Sequence, residues 1–206
     1  MIVPSRHHWQ EWPFGDIDRH GADLIMADPN WRFDTWSDAG KKHKSPERHY
    51  RTDPIEKIAA LPVQKLAHRN CLLWLWATHP MIDQQIEVCR LWGFRFVTTG
   101  VWVKRTSTGK LAFGTGYRLR CASEPFIIGV VGFPVTARNV RTVIEGPVRE
   151  HSRKPDEAYA AAEQLLPRTM WGAARRVDLY SRASRPGWRA WGDEVGKFDR
   201  VVGAAA

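Results

Sequence analysis

Apolar residues in this chain fall into short continuous runs separated by polar stretches. Residues 22–27 and 71–77 are almost entirely apolar, which predicts strands buried on both faces of a sheet. Further strand patterns cover residues 96–104, 125–132 and 177–180. A sheet buried on both faces needs helices on either side, so the pattern predicts a layered α/β fold.

Apolar residues at helical spacing lie between these runs. The spacing predicts a short helix over residues 55–61 and a longer one over 81–92, which stops at Gly93. An alanine-rich helix is predicted over residues 155–166, where a proline occupies the start of the first turn. Residues 133–154 follow neither period and are predicted to be mostly irregular.

The order of these elements predicts a single domain over residues 1–206. Strands alternate with helices, and the chain contains no internal repeat and no linker rich in Gly, Ser or Pro. This arrangement predicts a mostly parallel sheet that is mixed near one edge. The two ends, residues 1–13 and 197–206, are expected to be peripheral or frayed.

The first strand leads directly into Asp28-Pro29-Asn30-Trp31. Open α/β sheets build their ligand sites at the carboxyl ends of strands. The Asp28 carboxylate and the rigid Pro29 carbonyl can accept both hydrogens of an exocyclic amine, which localises the lone pair for attack on a methyl donor. Trp31 is expected to stack on a flipped base or to form the pocket wall. The alternative is that Asp-Pro only starts a turn and that Trp31 packs beneath it.

Charge and aromatic content are compatible with a nucleic-acid partner. The 206 residues carry a formal net charge of +9 and include 11 Trp. Basic residues concentrate in two predicted loops, residues 32–51 and 104–119, and the first of these also contains Trp36, His49 and Tyr50. Long loops beside a site often contact substrate, and aromatic side chains can stack on bases. Charge alone fits a basic soluble protein equally well.

Cysteine and hydropathy patterns point to a cytoplasmic protein without metal. The three cysteines, Cys71, Cys89 and Cys121, are widely spaced, and none forms a Cys-x-x-Cys pair. No disulfide framework or metal site is therefore expected, and a reducing compartment is favoured. No segment approaches the length of a membrane span, so no membrane partner is expected.

Several landmarks occur in order along the chain. They are MADPNW at 26–31, LWLWAT at 73–78, VWVK at 101–104, HSRKPDE at 151–157, RPGW at 185–188 and WGDE at 191–194. In these landmarks the chain resembles the adenine-N6 methyltransferase family named for the seventy-kilodalton subunit of the mRNA methyltransferase (MT-A), and the resemblance covers about residues 14–195. It implies a class I, Rossmann-like, three-layer α/β/α methyltransferase that uses S-adenosyl-L-methionine. It also implies a permuted motif order, in which the catalytic motif precedes the cofactor strand.

The resemblance assigns roles to individual positions. Asp28, Pro29, Asn30 and Trp31 match the catalytic tetrapeptide, and Asp28 in the family also reaches the cofactor ammonium. Lys104 matches a lysine that holds the cofactor carboxylate and is expected to lie beside the substrate as well. The positions that match cofactor adenine and ribose contacts are Asp16, Ile17, Arg182, Ser184, Arg185, Asp193 and Glu194. Tyr50 matches a tyrosine beside the target base, and Trp36 and His49 lie in the same loop.

The chain departs from the family pattern at three of these positions. Asn30 stands where the family usually has a second proline, so a rigid element is replaced by an amide that can hydrogen-bond the target base or loosen the loop. Asp193 and Glu194 stand where amides are usual. An acid opposite ribose hydroxyls is chemically sensible, because it accepts two hydrogen bonds.

Taken together, the residues and the resemblance predict an S-adenosylmethionine-dependent N6-adenine methyltransferase that acts on nucleic acid. DNA is favoured over RNA, because compact prokaryotic and phage members of the family usually modify DNA. Two alternatives remain open: an RNA N6-adenosine methyltransferase, and an inactive nucleic-acid-binding pseudo-methyltransferase in which Asn30 marks a decayed site. A nicotinamide oxidoreductase is disfavoured because no Gly-x-Gly-x-x-Gly follows a strand. Both a monomer and a homodimer remain open.

Overall fold

Strands and helices alternate along the chain, as the apolar pattern predicts. The computed structural model describes residues 2–3, 11–32, 52–116, 118–150, 153–170 and 172–199. The strands are β1 (Ala22–Ala27), β2 (Ala67–Trp76), β3 (Arg95–Arg105), β4 (Ser123–Val131), β5 (Val143–Pro147), β6 (Arg168–Thr169), β7 (Gly172–Ala173), β8 (Arg176–Leu179) and β9 (Trp188–Trp191). The helices are α1 (Ile55–Ala59), α2 (Ile82–Leu91) and α3 (Asp156–Leu165).

Seven strands of the described residues form one sheet in the order β5-β3-β4-β2-β1-β8-β9. β1 pairs in parallel with β2 and β8, and β8 pairs in parallel with β9. β3 and β5 are also parallel, whereas β4 runs antiparallel to both β2 and β3. The sheet is thus mostly parallel and mixed, and its antiparallel pairs lie toward the β5 side. The small strands β6 and β7 pair only with each other in the described residues.

Helices cover both faces of this sheet. On one face Ile25 of β1 and Leu73 of β2 join a core that includes residues of α1 and α2. On the other face Met26 and Trp74 join a core that includes residues of α3. Neighbouring strand residues point to opposite faces, so the apolar runs fill both cores at once. The three-layer α/β/α prediction is confirmed.

The predicted irregular character of residues 133–154 is wrong for β5. This strand contains Glu145, Gly146 and Pro147, which have low strand propensity. Among the described strands it pairs with β3 alone, at the edge of the sheet. β9 also escaped the sequence pattern, because it is an edge strand of four residues. Trp12, in the end predicted to be peripheral, packs against the core, with its ring centroid 5.0 Å from that of Phe14.

Candidate active site

Charged and polar side chains gather at the edge of the sheet where the parallel strands end. β4 runs the opposite way, so its first residues lie at this same edge. The residues brought there are Asp28 after β1, Lys104 in β3, Glu124 in β4, Lys154 after β5, Arg182 after β8, and Asp193 and Glu194 after β9. This edge is where open α/β sheets bind ligands.

A chain of alternating charges connects Asp28 with Lys104. The Nζ atom of Lys154 lies 2.6 Å from Oδ2 of Asp28 and 3.0 Å from Oε1 of Glu124. The other Glu124 oxygen, Oε2, lies 2.8 Å from Nζ of Lys104. The Trp76 ring lies beneath the Lys154 ammonium, with its centroid 5.3 Å from Nζ. Two cations alternate with two carboxylates, which offsets the cost of burying each charge.

Burial and neighbouring charges shift the pKa values within this chain. Burial raises the pKa of Asp28 against the opposing effect of Lys154, and the Glu124 carboxylate raises it further. Burial also acts to raise the pKa of Glu124, but Lys154 and Lys104 outweigh burial and lower that pKa to about 2. Burial acts to lower the pKa of Lys154, but the two carboxylates outweigh it and hold the pKa above its usual range. Lys154 is therefore a fixed cation beside Asp28 at neutral pH.

The residues after Asp28 form a tight turn. The Trp31 N–H donates to the Pro29 carbonyl at 2.8 Å, and the Asp28 N–H donates to the Leu179 carbonyl of β8 at 3.2 Å. Trp31 is only 4% exposed, and its Nε1 donates to the Trp76 carbonyl at 3.1 Å. This burial favours packing of Trp31 in the core beneath the turn over stacking on a base. The Pro29 carbonyl retains a second lone pair for another donor.

Asn30 connects this turn to the end of β8. Its Oδ1 accepts a hydrogen bond from Nη2 of Arg182 at 3.2 Å. Nε of Arg182 in turn forms a 2.9 Å ion pair with Oε2 of Glu194, which follows β9. The Asn30 carbonyl also accepts from the Asp53 N–H at 3.0 Å. Asn30 is thus held on both its main chain and its side chain.

A cleft opens beside Asn30, at the ends of β1, β8 and β9. From β1 the chain continues to β2 on one side, and β8 returns on the other, so the cleft lies at a topological switch point of the sheet. Its lining residues are Asn30, Asp53, Lys57, Leu61, Tyr180, Arg182, Trp191, Gly192, Asp193 and Glu194. Apolar walls and carboxylates together suit a purine nucleoside, whose ring needs apolar contact and whose ribose hydroxyls need acceptors.

Backbone strain at the cleft marks the turn after β8. Tyr180 adopts a φ of 61°, a left-handed conformation that is unfavourable for a bulky residue. Opposite it, Gly192 has a φ of 153°, and a Cβ there would lie 3.0 Å from the Tyr180 Cα and 3.1 Å from the Ser181 N. The two strand ends therefore approach each other too closely for a side chain at Gly192. Strain of this kind is concentrated at ligand sites.

Sequence comparison identifies the family to which this fold and site belong. The profile of the MT-A70 family matches residues 22–194. The chain belongs to the MT-A70 family. Its members are S-adenosylmethionine-dependent methyltransferases, so the predicted family and fold class are confirmed.

Three named methyltransferases are similar to this chain. A protein of Arabidopsis thaliana named N(6)-adenosine-methyltransferase MT-A70-like is 32% identical over 177 residues, which is 84% of this chain and 23% of the relative. The N(6)-adenine-specific methyltransferase METTL4 of Homo sapiens is 28% identical, over 89% of this chain and 39% of the relative. The type II methyltransferase M.MunI of Mycoplasma is 25% identical, over 88% of this chain and 81% of the relative. The chain spans about a quarter of the length of the plant relatives.

The structure brings together only some of the residues that sequence assigned to the MT-A70 cofactor. Arg182, Asp193 and Glu194 line the cleft, together with Asn30 of the predicted catalytic tetrapeptide. Lys104 pairs with Glu124 and is separated from Asp28 by Glu124 and Lys154. The described residues among the others are placed as follows: Asp16 is exposed and pairs with Arg189 at 2.7 Å, Ile17 is buried in the core, the Ser184 N–H donates to Asp199, and Arg185 pairs with Asp156. None of these four lines the cleft.

The remaining predictions concern the other substrate residues, a metal ion and a membrane. Trp36, His49 and Tyr50 lie outside the described residues. Within the part of the chain that is described, no cluster of three or more His, Cys, Asp or Glu side chains could hold a metal ion. The helices described there are all too short or too polar to cross a membrane.

Sequence reasoning missed the two residues that complete the charge chain. Lys154 was visible as part of HSRKPDE, but a proline-started helix explained that segment equally well. Glu124 sits in no recognisable motif and reaches the site only because β4 is antiparallel. The signal that could have found Lys154 is a lysine that follows a strand of the same sheet, because the parallel strands all end at the edge where Asp28 lies.

A buried acid behind the site predicts a pH dependence of stability. Asp178 of β8 is 2% exposed, and burial raises its pKa to about 7 although hydrogen bonds from Ser181 and Tyr159 oppose this. Because its folded pKa exceeds the unfolded value, its contribution is complete below about pH 4 and is lost as the pH rises through about 7. This loss reduces the free energy of unfolding by about 4 kcal/mol.

Asp178→Asn should remove this pH dependence. The free energy of unfolding, measured by urea denaturation between pH 4 and 8, is expected to fall more steeply with rising pH in the wild type than in the variant. Asp83→Asn, at an exposed position of α2, serves as the matched control and should follow the wild type. Parallel curves for wild type and Asp178→Asn would contradict the assignment.

Proposed function

We propose that this chain is an S-adenosylmethionine-dependent N6-adenine methyltransferase that acts on DNA. The observation that carries the proposal is the Asp28 carboxylate, which lies 2.6 Å from the Lys154 ammonium at the end of β1. It stands beside the Pro29 carbonyl and next to a cleft with walls suited to a nucleoside. Membership of the MT-A70 family supports this assignment.

The chemistry required of these residues is the localisation of the adenine N6 lone pair. An exocyclic amine is a poor nucleophile because its lone pair is delocalised into the ring. Asp28 and the Pro29 carbonyl each accept one N6 hydrogen, which favours a tetrahedral nitrogen. S-adenosylmethionine supplies an activated methyl group on a sulfonium. When N6 takes the methyl group it would lose one proton, and the Asp28 carboxylate would accept that proton.

The cofactor residues of this chain divide into two groups. Leu61, Tyr180 and Trp191 give apolar contact for the adenine, while Asp193 and Glu194 accept hydrogen bonds from the ribose hydroxyls. The cofactor ammonium is assigned to Asp28 and its carboxylate to the nearby lysines, Lys154 and Lys104, which stand at the same edge of the sheet. Asp16, Ile17, Ser184 and Arg185 stay predictions from the resemblance and do not line this pocket.

The loop between β3 and β4 supplies a surface for nucleic acid. It leaves the sheet at Arg105, next to Lys104, and returns at Ser123, next to Glu124. Between those ends it carries Lys110, Arg118 and Arg120 and no acidic residue. Its large apolar side chains are exposed: Phe113 is 81% exposed and Leu119 is 85% exposed. Cations with an exposed aromatic ring suit a phosphate backbone and a stacked base. We place Trp36, His49 and Tyr50 on the same substrate.

Phe113→Ala is expected to raise KM for the nucleic acid about tenfold, because one stacking contact is lost. The expected kcat at saturating nucleic acid is unchanged, since Phe113 does not touch the charge chain around Asp28. Steady-state kinetics with varied oligonucleotide and saturating cofactor measure both values. Phe133→Ala is the matched control, because Phe133 is 84% exposed but follows the opposite end of β4. Equal KM values for the two variants would remove the loop from the substrate surface.

DNA is proposed as the substrate because of the likeness to M.MunI, a type II methyltransferase. The alignment with this relative covers 88% of the chain and 81% of M.MunI. The experiment offers labelled S-adenosylmethionine with duplex DNA, single-stranded DNA and RNA of the same sequence, and counts label in each polymer. Preferential transfer to DNA supports the proposal. Preferential transfer to RNA would replace it with the RNA alternative, and transfer to no polymer would support a binding-only protein.

The location in the cell is proposed to be the cytoplasm. Cys71 and Cys89 are buried free thiols, which suits a reducing compartment. A single domain over residues 1–206 is proposed as well.

A further inference from the structure

The catalytic turn and the cofactor cleft share one side chain. Asn30 lies between Pro29, which is proposed to hold the target amine, and Arg182, which lines the cleft. Its Oδ1 accepts from Nη2 of Arg182 at 3.2 Å, and Nε of Arg182 is ion-paired with Glu194 at 2.9 Å. A continuous path of polar contacts therefore runs from an acid proposed to bind ribose to the residue next to the catalytic carbonyl.

The orientation of the Asn30 side-chain amide follows from its hydrogen-bond partner, Arg182. Arginine has only donors, so the amide oxygen and not the nitrogen must face Arg182. The Arg182 side chain is 9% exposed, and its ion pair with Glu194 restricts its rotation. The Asn30 main chain is held as well, since its carbonyl accepts from Asp53 at 3.0 Å. The amide is thus held from both sides at a position where the family usually has a proline.

A proline at position 30 could restrict the backbone but could not accept a bond from Arg182 through its side chain. Asn30 gives the reverse combination, with a freer backbone and a side-chain tether to the cleft. The conformation of the turn at Pro29 and Asn30 then depends on the position of Arg182. The position of Arg182 depends in turn on its ion pair with Glu194. A ligand that binds Glu194 therefore changes the geometry of Pro29 through Arg182 and Asn30.

We propose that Asn30 is a positioning residue that couples cofactor binding to the setting of the catalytic turn. This inference rests on the proposed function, because it assumes that the cleft binds the cofactor. It assigns Asn30 to the cofactor side of the site and not to the target base. It also makes Asn30 a replacement for the rigidity of the second proline and not a sign of a decayed site.

The test measures cofactor affinity directly, apart from catalysis. The dissociation constant of S-adenosylhomocysteine is measured by isothermal titration calorimetry for wild type, Asn30→Ala, Arg182→Ala and the double variant. Asn30→Ala is expected to weaken binding about tenfold, because a hydrogen bond to a charged group is lost. In the Arg182→Ala background the same substitution should have little further effect, since the partner is gone. Additive losses in the double variant would overturn the coupling.

Kinetics separate the two faces of the site. Asn30→Ala should raise KM for the cofactor and lower kcat, while KM for the nucleic acid stays within twofold of the wild type. Asn30→Asp keeps an acceptor for Arg182 and should recover most of the cofactor affinity lost in Asn30→Ala. A rise in nucleic-acid KM with unchanged cofactor affinity would place Asn30 on the target base and overturn the proposal.

Controls distinguish this inference from the proposed function. Asn139→Ala, at an exposed asparagine far along the chain from the cleft residues, should bind like the wild type. Thermal unfolding shows whether each variant is folded. If the wild type binds S-adenosylhomocysteine and Asn30→Ala binds equally well, only the role of Asn30 is overturned. If the folded wild type binds none, the proposed function fails together with it.

Discussion

Asp28→Asn is expected to lower kcat for methyl transfer by about 100- to 10,000-fold, the range seen when a positioned acid–base group is lost. The amide keeps the shape of the carboxylate and one acceptor oxygen, but it loses the negative charge that attracts the N6 hydrogens. Lys154 keeps its 3.0 Å ion pair with Glu124, so the surroundings of the site are preserved. The rate is measured in single turnovers with saturating cofactor, which separates chemistry from binding.

A control variant and a stability measurement accompany the Asp28→Asn rate. Asp83→Asn makes the same chemical change on the exposed surface of α2 and should leave the rate unchanged. The unfolding transition of Asp28→Asn should stay within a few degrees of the wild type. A folded variant that retains more than a tenth of the wild-type rate would show that the Asp28 charge does not carry the reaction.

Lys154→Met is expected to reduce the free energy of unfolding by about 3–5 kcal/mol, because it leaves two buried carboxylates without their shared cation. Methionine nearly matches the length of the lysine side chain, and it can still pack on Trp76, so the lost charge dominates the effect. Asp28 and Glu124 would then repel each other, which raises both pKa values and shifts the onset of activity to higher pH. Urea denaturation at pH 7 and a pH–rate profile measure these effects.

The matched control for this change is Lys65→Met, at an exposed position outside the site. It should leave both the unfolding free energy and the pH–rate profile close to those of the wild type. If Lys154→Met were as stable as Lys65→Met and equally active, the charge chain between Asp28 and Lys104 would have no role in holding the acid.

The part of the fold that sequence predicts well is the part with strong apolar signals. β1 and β2 are buried on both faces, so their continuous apolar segments predict both strands from the sequence. The position of Asp28 follows from β1, because a strand that ends in Asp-Pro delivers its acid to the sheet edge. β5 and β9 are edge strands with short or interrupted patterns, so periodicity cannot detect them.

The candidate site was harder to predict because its parts meet only in three dimensions. Glu124 reaches Lys154 through the reversed direction of β4, which no local pattern encodes. β8 is not followed by a Gly-x-Gly signal, and Tyr180 after it adopts the left-handed conformation that glycine adopts most readily. The sequence predicts that Asn30 makes the turn less rigid, whereas in the structure its side chain accepts a hydrogen bond from Arg182.

The most direct test of the account is the chemical identity of the methylated product. Duplex DNA is incubated with the wild-type chain and S-adenosylmethionine that carries a deuterated methyl group, and the DNA is then digested to nucleosides for mass spectrometry. The account predicts deuterated N6-methyldeoxyadenosine from the wild type and almost none from Asp28→Asn. Label on another base or another adenine atom, or equal product from both proteins, would contradict it.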